Sequence, residues 1–114
     1  MIFPGITEVN GSSMHGDVVG LPREIAVFPD VYSERAERHF EDLAEITSDS
    51  AGRLRRKLFF VAHFPARAVS LNPRFPTLKR KLREALESGV EVEALSAEFK
   101  EGLLWINEGV NFLL

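Results

Sequence analysis

Leu58-Phe59-Phe60-Val61-Ala62 is an unbroken run of five apolar residues near the middle of the chain. Such a run is typical of a strand that is buried on both faces, with helices packed over it. Segments with helical spacing of apolar residues lie before and after this run, and further strand candidates lie outside them. We therefore predict an α/β fold in which a mixed β-sheet is flanked by two helices.

The two predicted helices begin and end at residues that favour helix boundaries. Ser33 can cap the first helix, which runs to about Ile46. Its inward face is formed by Ala36, Phe40, Leu43 and Ala44. Thr77 can cap the second helix, from Leu78 to Ser88, and Gly89 stops it. Each helix thus presents one apolar stripe to the sheet.

The remaining segments are predicted as short strands and turns. The strands are Gly5–Val9, Ile25–Phe28, Val90–Phe99 with a bulge near Ala94-Leu95, Leu103–Ile106 and Val110–Leu114. The turns are Asn10–Ser13 and Lys100–Gly102, and residues 64 to 76 are predicted to be irregular.

Composition restricts the class of protein. The chain has 114 residues, which fits a single domain spanning residues 1–114. It has no cysteine, so disulfides and thiolate metal sites are excluded. Residues 1 to 11 lack the basic start and apolar run of a signal peptide, and no stretch is apolar enough to span a membrane. We expect a cytoplasmic protein without a membrane partner.

Charge is strongly segregated along the chain, although the net charge is only −3. Residues 1 to 52 carry three basic and ten acidic residues, whereas residues 53 to 83 carry ten basic residues and no acidic one. The remaining segment has one basic and seven acidic residues. The basic middle block suggests a surface for a polyanion, and the alternative is that it neutralises the acidic flanks in the folded protein.

The segment Phe28-Pro29-Asp30-Val31-Tyr32-Ser33-Glu34-Arg35-Ala36-Glu37-Arg38-His39 resembles the F-P-D-A-x-T-x-R-G-x-x-H stretch of the sugar fermentation stimulation protein family (SfsA). Shorter segments extend the resemblance over essentially the whole chain and the last half of the family's length. They are Thr7–Asn10 for V-E-V-K, Leu58–Val61 for L-F-V-V, Asn72-Pro73 for P-N, and Gly89–Val92 for G-V-E-V. The resemblance implies a PD-(D/E)xK nuclease-like domain, which in the family follows an OB-like domain.

The resemblance also implies DNA binding and nuclease chemistry that depends on Mg²⁺ or Mn²⁺. Carboxylates on neighbouring strands would hold the cation, which polarises the phosphate and activates water. Glu8 corresponds to the second carboxylate and metal ligand, but Asn10 occupies the lysine position and Ala36 a glycine position. The family's first aspartate lies upstream, on a strand we expect this chain to lack. We therefore expect a restriction-endonuclease-like core lacking its first elements, with its catalysis lost.

Several candidate site residues leave alternatives open. Glu8 could bind a metal or be solvated near the N-terminus, and Asp30 could replace the lost carboxylate or simply form a turn after Pro29. Arg35 and His39 lie on one helix face, either at the site or on a solvent-facing helix with ion pairs. The predicted contacts to DNA or RNA are Arg35, Arg38, Arg53, Arg55, Arg56, Lys57, Arg74, Lys79, Arg80, Lys81 and Arg83.

Three functions remain in competition. The first is a catalytically degenerate domain that binds DNA or RNA weakly through the basic block. The second is an active Mg²⁺- or Mn²⁺-dependent nuclease, completed by a dimer or by Asp30. The third is a protein-assembly domain without a nucleic-acid role. Because a sheet lacking its first strands exposes an edge or an apolar face, we also expect a homodimer formed through the N-terminal or C-terminal strands.

Overall fold

The central strand β4 (Lys57–Ala62) lies inside a mixed sheet, as predicted, but only one of its faces is fully buried. This computed structural model describes residues 7–49 and 56–114, without side-chain detail at positions 7, 8, 49, 107 and 108. Leu58, Phe60 and Ala62 are buried, whereas Phe59 and Val61 are half-buried. The prediction of burial on both faces is wrong, because the buried residues of both helices join the single core cluster on the Phe60 side.

In the described part of the chain, seven strands form the sheet. In chain order they are β1 (Thr7–Ser12), β2 (Met14–His15), β3 (Ile25–Phe28), β4, β5 (Ala68–Leu71), β6 (Glu91–Lys100) and β7 (Leu103–Leu113). Their order across the sheet is β1-β4-β6-β7-β5-β3-β2, with antiparallel pairs only at β6/β7 and β2/β3 among the described strands. The sheet curls into a near-barrel, since the buried Ser12 hydroxyl of β1 donates a hydrogen bond to the Val27 carbonyl of β3.

The two helices confirm the α/β fold class. Helix α1 (Glu34–Asp49) begins after Ser33, whose hydroxyl accepts a hydrogen bond from the Ala36 N–H at 3.1 Å, as predicted for an N-cap. Helix α2 (Pro76–Glu87) begins earlier than predicted, because Pro76 occupies its first turn and no Thr77 cap is used. Gly89 has φ 103°, which fits the predicted stop. Among the described helices, none has the length and apolar character needed to cross a membrane.

The predicted turn at residues 10 to 13 is wrong, because this segment continues β1. Asn10, Gly11 and Ser12 pair in register with Phe60, Val61 and Ala62. The His63 ring lies directly over Gly11, where a β-carbon would approach it to 2.7 Å. Gly11 is therefore a site of close packing within a strand rather than a turn residue.

The C-terminal half corrects two further predictions and confirms two. The predicted irregular segment contains β5, a strand whose pairing partners, β3 and β7, lie far away in sequence. The two last predicted strands are one strand, β7. The predicted bulge is confirmed by a register shift between Leu95 and Ala97, and the predicted hairpin turn by positive φ at Glu101 and Gly102.

Candidate functional site: a cleft between β1 and α1

An open cleft of about 250 Å³ lies beside β1, where the end of β3 leads into the first turns of α1. It combines polar side chains and the Arg35 guanidinium with backbone from an edge strand. Its lining residues are Val9, Asn10, Gly11, Phe28, Ser33, Arg35, Ala36 and His39. The cleft thus brings together the two ends of the predicted site, the β1 segment and the Arg35/His39 face of the helix.

The start of α1 determines the electrostatics of the cleft. Ser33 caps the helix, so Arg35 lies in its first turn and His39 follows one turn later on the same face. The N-terminus of a helix carries a partial positive charge and backbone N–H groups without helical partners. Arg35 is exposed and forms no ion pair with a described residue. This end of the cleft therefore favours an anionic group.

Asn10 contributes a neutral amide where the family pattern has lysine. Its side chain is half-buried, and its Nδ2 atom donates a hydrogen bond to the Phe59 carbonyl at 3.5 Å. An amide supplies hydrogen bonds but neither a positive charge nor a proton to transfer. The Asn10 position can orient a bound group, but it cannot replace a lysine in stabilising developing charge.

Of the two predicted catalytic carboxylates, Glu8 and Asp30, only the Asp30 side chain is described by the structure. The backbone of Glu8 pairs with Leu58, while its side chain lies outside the described part of the chain. Asp30 is exposed, and its Oδ1 atom accepts a hydrogen bond from the N–H of the next residue, Val31, at 3.0 Å, so its carboxylate is engaged locally in the loop after Pro29. Asp30 does not belong to the residues that line the cleft.

The described side chains do not by themselves fit a divalent cation. Within residues 9–48, 56–106 and 109–114, no three histidine, aspartate or glutamate side chains come close enough to share a metal. Mg²⁺ and Mn²⁺ need several oxygen ligands in a defined arrangement. Of the cleft-lining residues whose side chains are described, only Asn10 and Ser33 offer side-chain oxygen ligands.

Many of the predicted nucleic-acid contacts are engaged within the protein. Lys57 lies 2.6 Å from Glu93, Arg38 3.3 Å from Glu34, and Arg80 3.8 Å from Glu84. Lys81 forms an ion pair with Glu41 that joins the two helices. Arg74 donates a hydrogen bond to the Val18 carbonyl at 3.1 Å. These contacts agree with the alternative that part of the basic block neutralises acidic neighbours.

Arg56 is wrongly predicted as a surface contact, because its side chain is only 4% exposed. It lies immediately before β4, and its carbonyl accepts a hydrogen bond from the Glu91 N–H at 2.9 Å. Arg53 and Arg55 lie outside the described residues. Within the described part of the chain, Arg35, Lys79 and Arg83 keep accessible charge without an ion pair.

Asn72 is a structural residue that sequence reasoning did not single out as part of the site. It is buried, its Nδ2 atom donates to the Pro29 carbonyl at 2.9 Å, and its Oδ1 atom accepts from the Arg74 N–H at 2.9 Å. These bonds hold the loop between β3 and α1, and therefore the start of the helix. In the sequence, only the match of Asn72-Pro73 to the family's P-N motif marks this position.

Tyr32, in the loop between β3 and α1, contacts α1 and the residue that precedes α2. Its hydroxyl donates to the Glu37 Oε2 atom at 3.0 Å, and this hydrogen bond raises the pKa of Tyr32 above its ordinary value of 10.0. Its ring meets Phe75, just before α2, edge to face at 5.7 Å. The ring of Phe64 likewise has a partner, since it stacks on His15 with the ring centroids 3.8 Å apart. Both rings therefore already have aromatic partners.

Comparison with known proteins places this chain in a family. A sequence model described as the sugar fermentation stimulation protein RE domain matches residues 8–102. A sugar fermentation stimulation protein homolog from Pyrobaculum arsenaticum is 39% identical over 88 residues, which cover 73% of this chain and 36% of the relative.

A solved structure supports the same fold. It is described as Pyrococcus furiosus SfsA in complex with Ca²⁺, and it aligns with a TM-score of 0.81 at 23% identity. The alignment covers 95% of this chain and 44% of that chain. The chain described here therefore spans less than half the length of both relatives.

Proposed function

Because this chain belongs to the sugar fermentation stimulation protein family and has its nuclease-like fold, we propose that it binds nucleic acid through the cleft between β1 and α1 without cleaving it. The observation that carries the proposal is the convergence of Arg35 and His39 with Asn10 in one open cleft. A phosphate group is the anion that this arrangement fits, since arginine and a helix N-terminus both donate hydrogen bonds to phosphate oxygens.

The expected affinity is low because few cations are available. Arg35 in the cleft, and Lys79 and Arg83 on α2, are accessible cations that form neither an ion pair nor a side-chain hydrogen bond with a described residue, whereas Arg74 is exposed but bonded to the Val18 carbonyl. Each phosphate contact adds affinity that does not depend on sequence and weakens with salt. We therefore propose weak binding, in which the backbone of DNA or RNA is recognised and the bases are not.

The proposed loss of cleavage rests on position 10. A positively charged lysine next to the metal-binding carboxylate can orient water or stabilise the charge that develops at the phosphate. Asn10 is neutral and its amide is directed at the Phe59 carbonyl. We therefore expect the cleft to retain nucleic-acid binding and to lack cleavage activity.

Replacing Arg35 with alanine is expected to weaken binding of a fluorescent duplex about fivefold at low salt and to reduce the salt slope by about one. The matched control is Arg67→Ala, which removes another exposed arginine that lies 3.9 Å from Glu24 and does not line the cleft. Fluorescence anisotropy measures both variants. Equal affinities for the two variants would show that the cleft is not the binding site.

A second candidate function is a metal-dependent nuclease, and the Ca²⁺ complex of the Pyrococcus furiosus relative favours it. In this candidate Glu8 would be a metal ligand, and ligands from outside the described side chains would have to complete the site. The discriminating experiment is cleavage of a labelled duplex with Mn²⁺ or Mg²⁺. Cleavage that disappears in Glu8→Ala and with EDTA would establish the nuclease and overturn the proposed loss of catalysis.

A further inference from the structure

The hairpin formed by β6 and β7 extends beyond the rest of the sheet. Strand β4 pairs with β6 only as far as Ser96, and β5 pairs with β7 only from Asn111 onwards. Between these points, Ala97–Lys100 pairs with Leu103–Ile106 and with no other described strand. We call residues 97–106 the β6–β7 ribbon. Isolated two-stranded ribbons are marginally stable in water, so a covering partner would stabilise this one.

The ribbon carries the largest group of exposed apolar side chains in the described part of the protein. Five of them are between 53% and 79% exposed: Phe99, Leu103, Leu104, Trp105 and Ile106. Because consecutive residues of a strand point to opposite faces, the run 103–106 exposes apolar groups on both faces of the ribbon. Such a patch marks an interaction surface more often than a solvated one.

The turn geometry indicates which backbone groups of the ribbon are free. Glu101 and Gly102 have φ 52° and 77°, as a two-residue type I′ turn requires. In that turn the closing pair, Lys100 and Leu103, exchanges both of its hydrogen bonds, and the pairs then alternate. Leu104 and Ile106 are consequently expected to direct their N–H and C=O groups towards the open edge of β7.

We propose that this edge of β7 pairs antiparallel with the same edge of a second copy of the chain. A two-fold axis through Trp105 would let Leu104 exchange hydrogen bonds with Ile106 of the second copy, and Trp105 would face its own counterpart. Such an interface is isologous and closes as a dimer. Aromatic side chains opposite each other across antiparallel strands add to the stability of the pairing.

Charge favours a second copy over a polyanion as the occupant. Residues 103 to 106 carry no charge, so self-pairing places no like charges opposite each other. The ribbon's charged residues are Glu98, Lys100 and Glu101, and Lys100 lies 3.3 Å from Glu98. A phosphate backbone would meet net negative charge here, whereas an identical uncharged edge would not be repelled.

The exposed apolar area sets an upper limit on the interface of this dimer. A fully exposed side chain of this size offers roughly 150–250 Å². At the observed exposures the five side chains present about 500 Å² per copy, so two copies could bury at most about 1,000 Å², the lower bound of a specific interface, and Phe99 on β6 lies away from the paired edge. The dimer is therefore expected to be reversible, with a dissociation constant on the order of 1–10 µM.

Analytical ultracentrifugation of the 114-residue chain over a range of concentrations tests the proposal. The expected result is a dimer with twice the 12.8 kDa chain mass, in equilibrium with monomer. Ile106→Lys introduces like charges across the two-fold axis and is expected to weaken the dimer at least about tenfold. The control Val31→Lys, at a residue 68% exposed outside the ribbon, should dimerise as the unchanged protein does.

The single tryptophan of the chain provides a second readout that does not depend on a variant folding correctly. Trp105 fluorescence of the unchanged protein should shift with concentration along the same curve as the mass. A chain that stays monomeric at about 100 µM overturns the proposal. A dimer that Ile106→Lys leaves intact, or one whose formation does not change Trp105 fluorescence, also overturns it.

Discussion

Replacing Phe60 with alanine is expected to lower the free energy of unfolding by about 4 kcal/mol, the largest loss anticipated for any single change in this protein. Phe60 is fully buried and lies at the meeting point of four elements. Its ring centroid is 4.8 Å from that of Phe112, 5.4 Å from that of Phe28 and 6.3 Å from that of Phe40. Removing it opens a cavity between β4, β3, β7 and α1 at once.

Phe59→Ala is the matched control, since it removes the same side chain from the opposite face of the same strand. Phe59 is half-buried, with the Lys57 ammonium 5.2 Å from its ring centroid. It should cost less than half as much as Phe60→Ala, because less area is buried there. Denaturant unfolding followed by circular dichroism measures both variants. Equal losses would contradict a core confined to the Phe60 face of β4.

Replacing Asn72 with alanine is expected to cost about 2–3 kcal/mol. The change leaves the Pro29 carbonyl and the Arg74 N–H without the bonds that Asn72 now provides. Thermal unfolding measures the loss, and the anisotropy assay should show weaker nucleic-acid binding, because the same loop positions the start of α1 and Arg35.

Asn111→Ala is the control for Asn72, since Asn111 is an exposed asparagine in β7. Its removal should change the free energy of unfolding by less than about 0.5 kcal/mol. If Asn72→Ala is as stable as Asn111→Ala, the Pro29 loop is not held by Asn72, and the positioning of the helix start needs another explanation.

Local sequence signals were sufficient for the helices and the strands near them. Ser33 marked the start of α1, and Phe40 and Leu43 marked its buried face, because capping and periodicity are properties of the helix itself. The bulge in β6 was visible because its apolar positions change phase along the strand.

Long-range pairing explains most of what the sequence did not reveal. Gly11 follows an asparagine, and Asn-Gly is typical of turns. Its conformation is instead determined by the pairing of β1 with β4 and by the His63 ring. Strand β5 is short and becomes a strand through partners distant in sequence. Arginine usually lies at the protein surface, yet Arg56 is buried at the point where β4 begins beside β6.

The candidate site was predictable in its parts but not in its arrangement. The spacing of Arg35 and His39 placed them on one helix face, and the family pattern indicated Asn10, but no sequence signal showed that they line one cleft. Ion pairs such as that of Lys81 with Glu41 join segments that are far apart in the chain. The sequence alone therefore does not show which cations of the basic middle block remain accessible to a ligand.

The most direct test of the proposed function is the salt dependence of nucleic-acid binding by the unchanged chain, with EDTA present. Fluorescence anisotropy with a labelled duplex and a labelled single strand gives the affinities. We predict weak binding that falls between about 50 and 200 mM salt by roughly ten- to fortyfold for the duplex and roughly seven- to eighteenfold for the single strand, as two or three phosphate contacts require. Absence of binding at the lowest salt, or binding that salt does not weaken, would contradict the proposal.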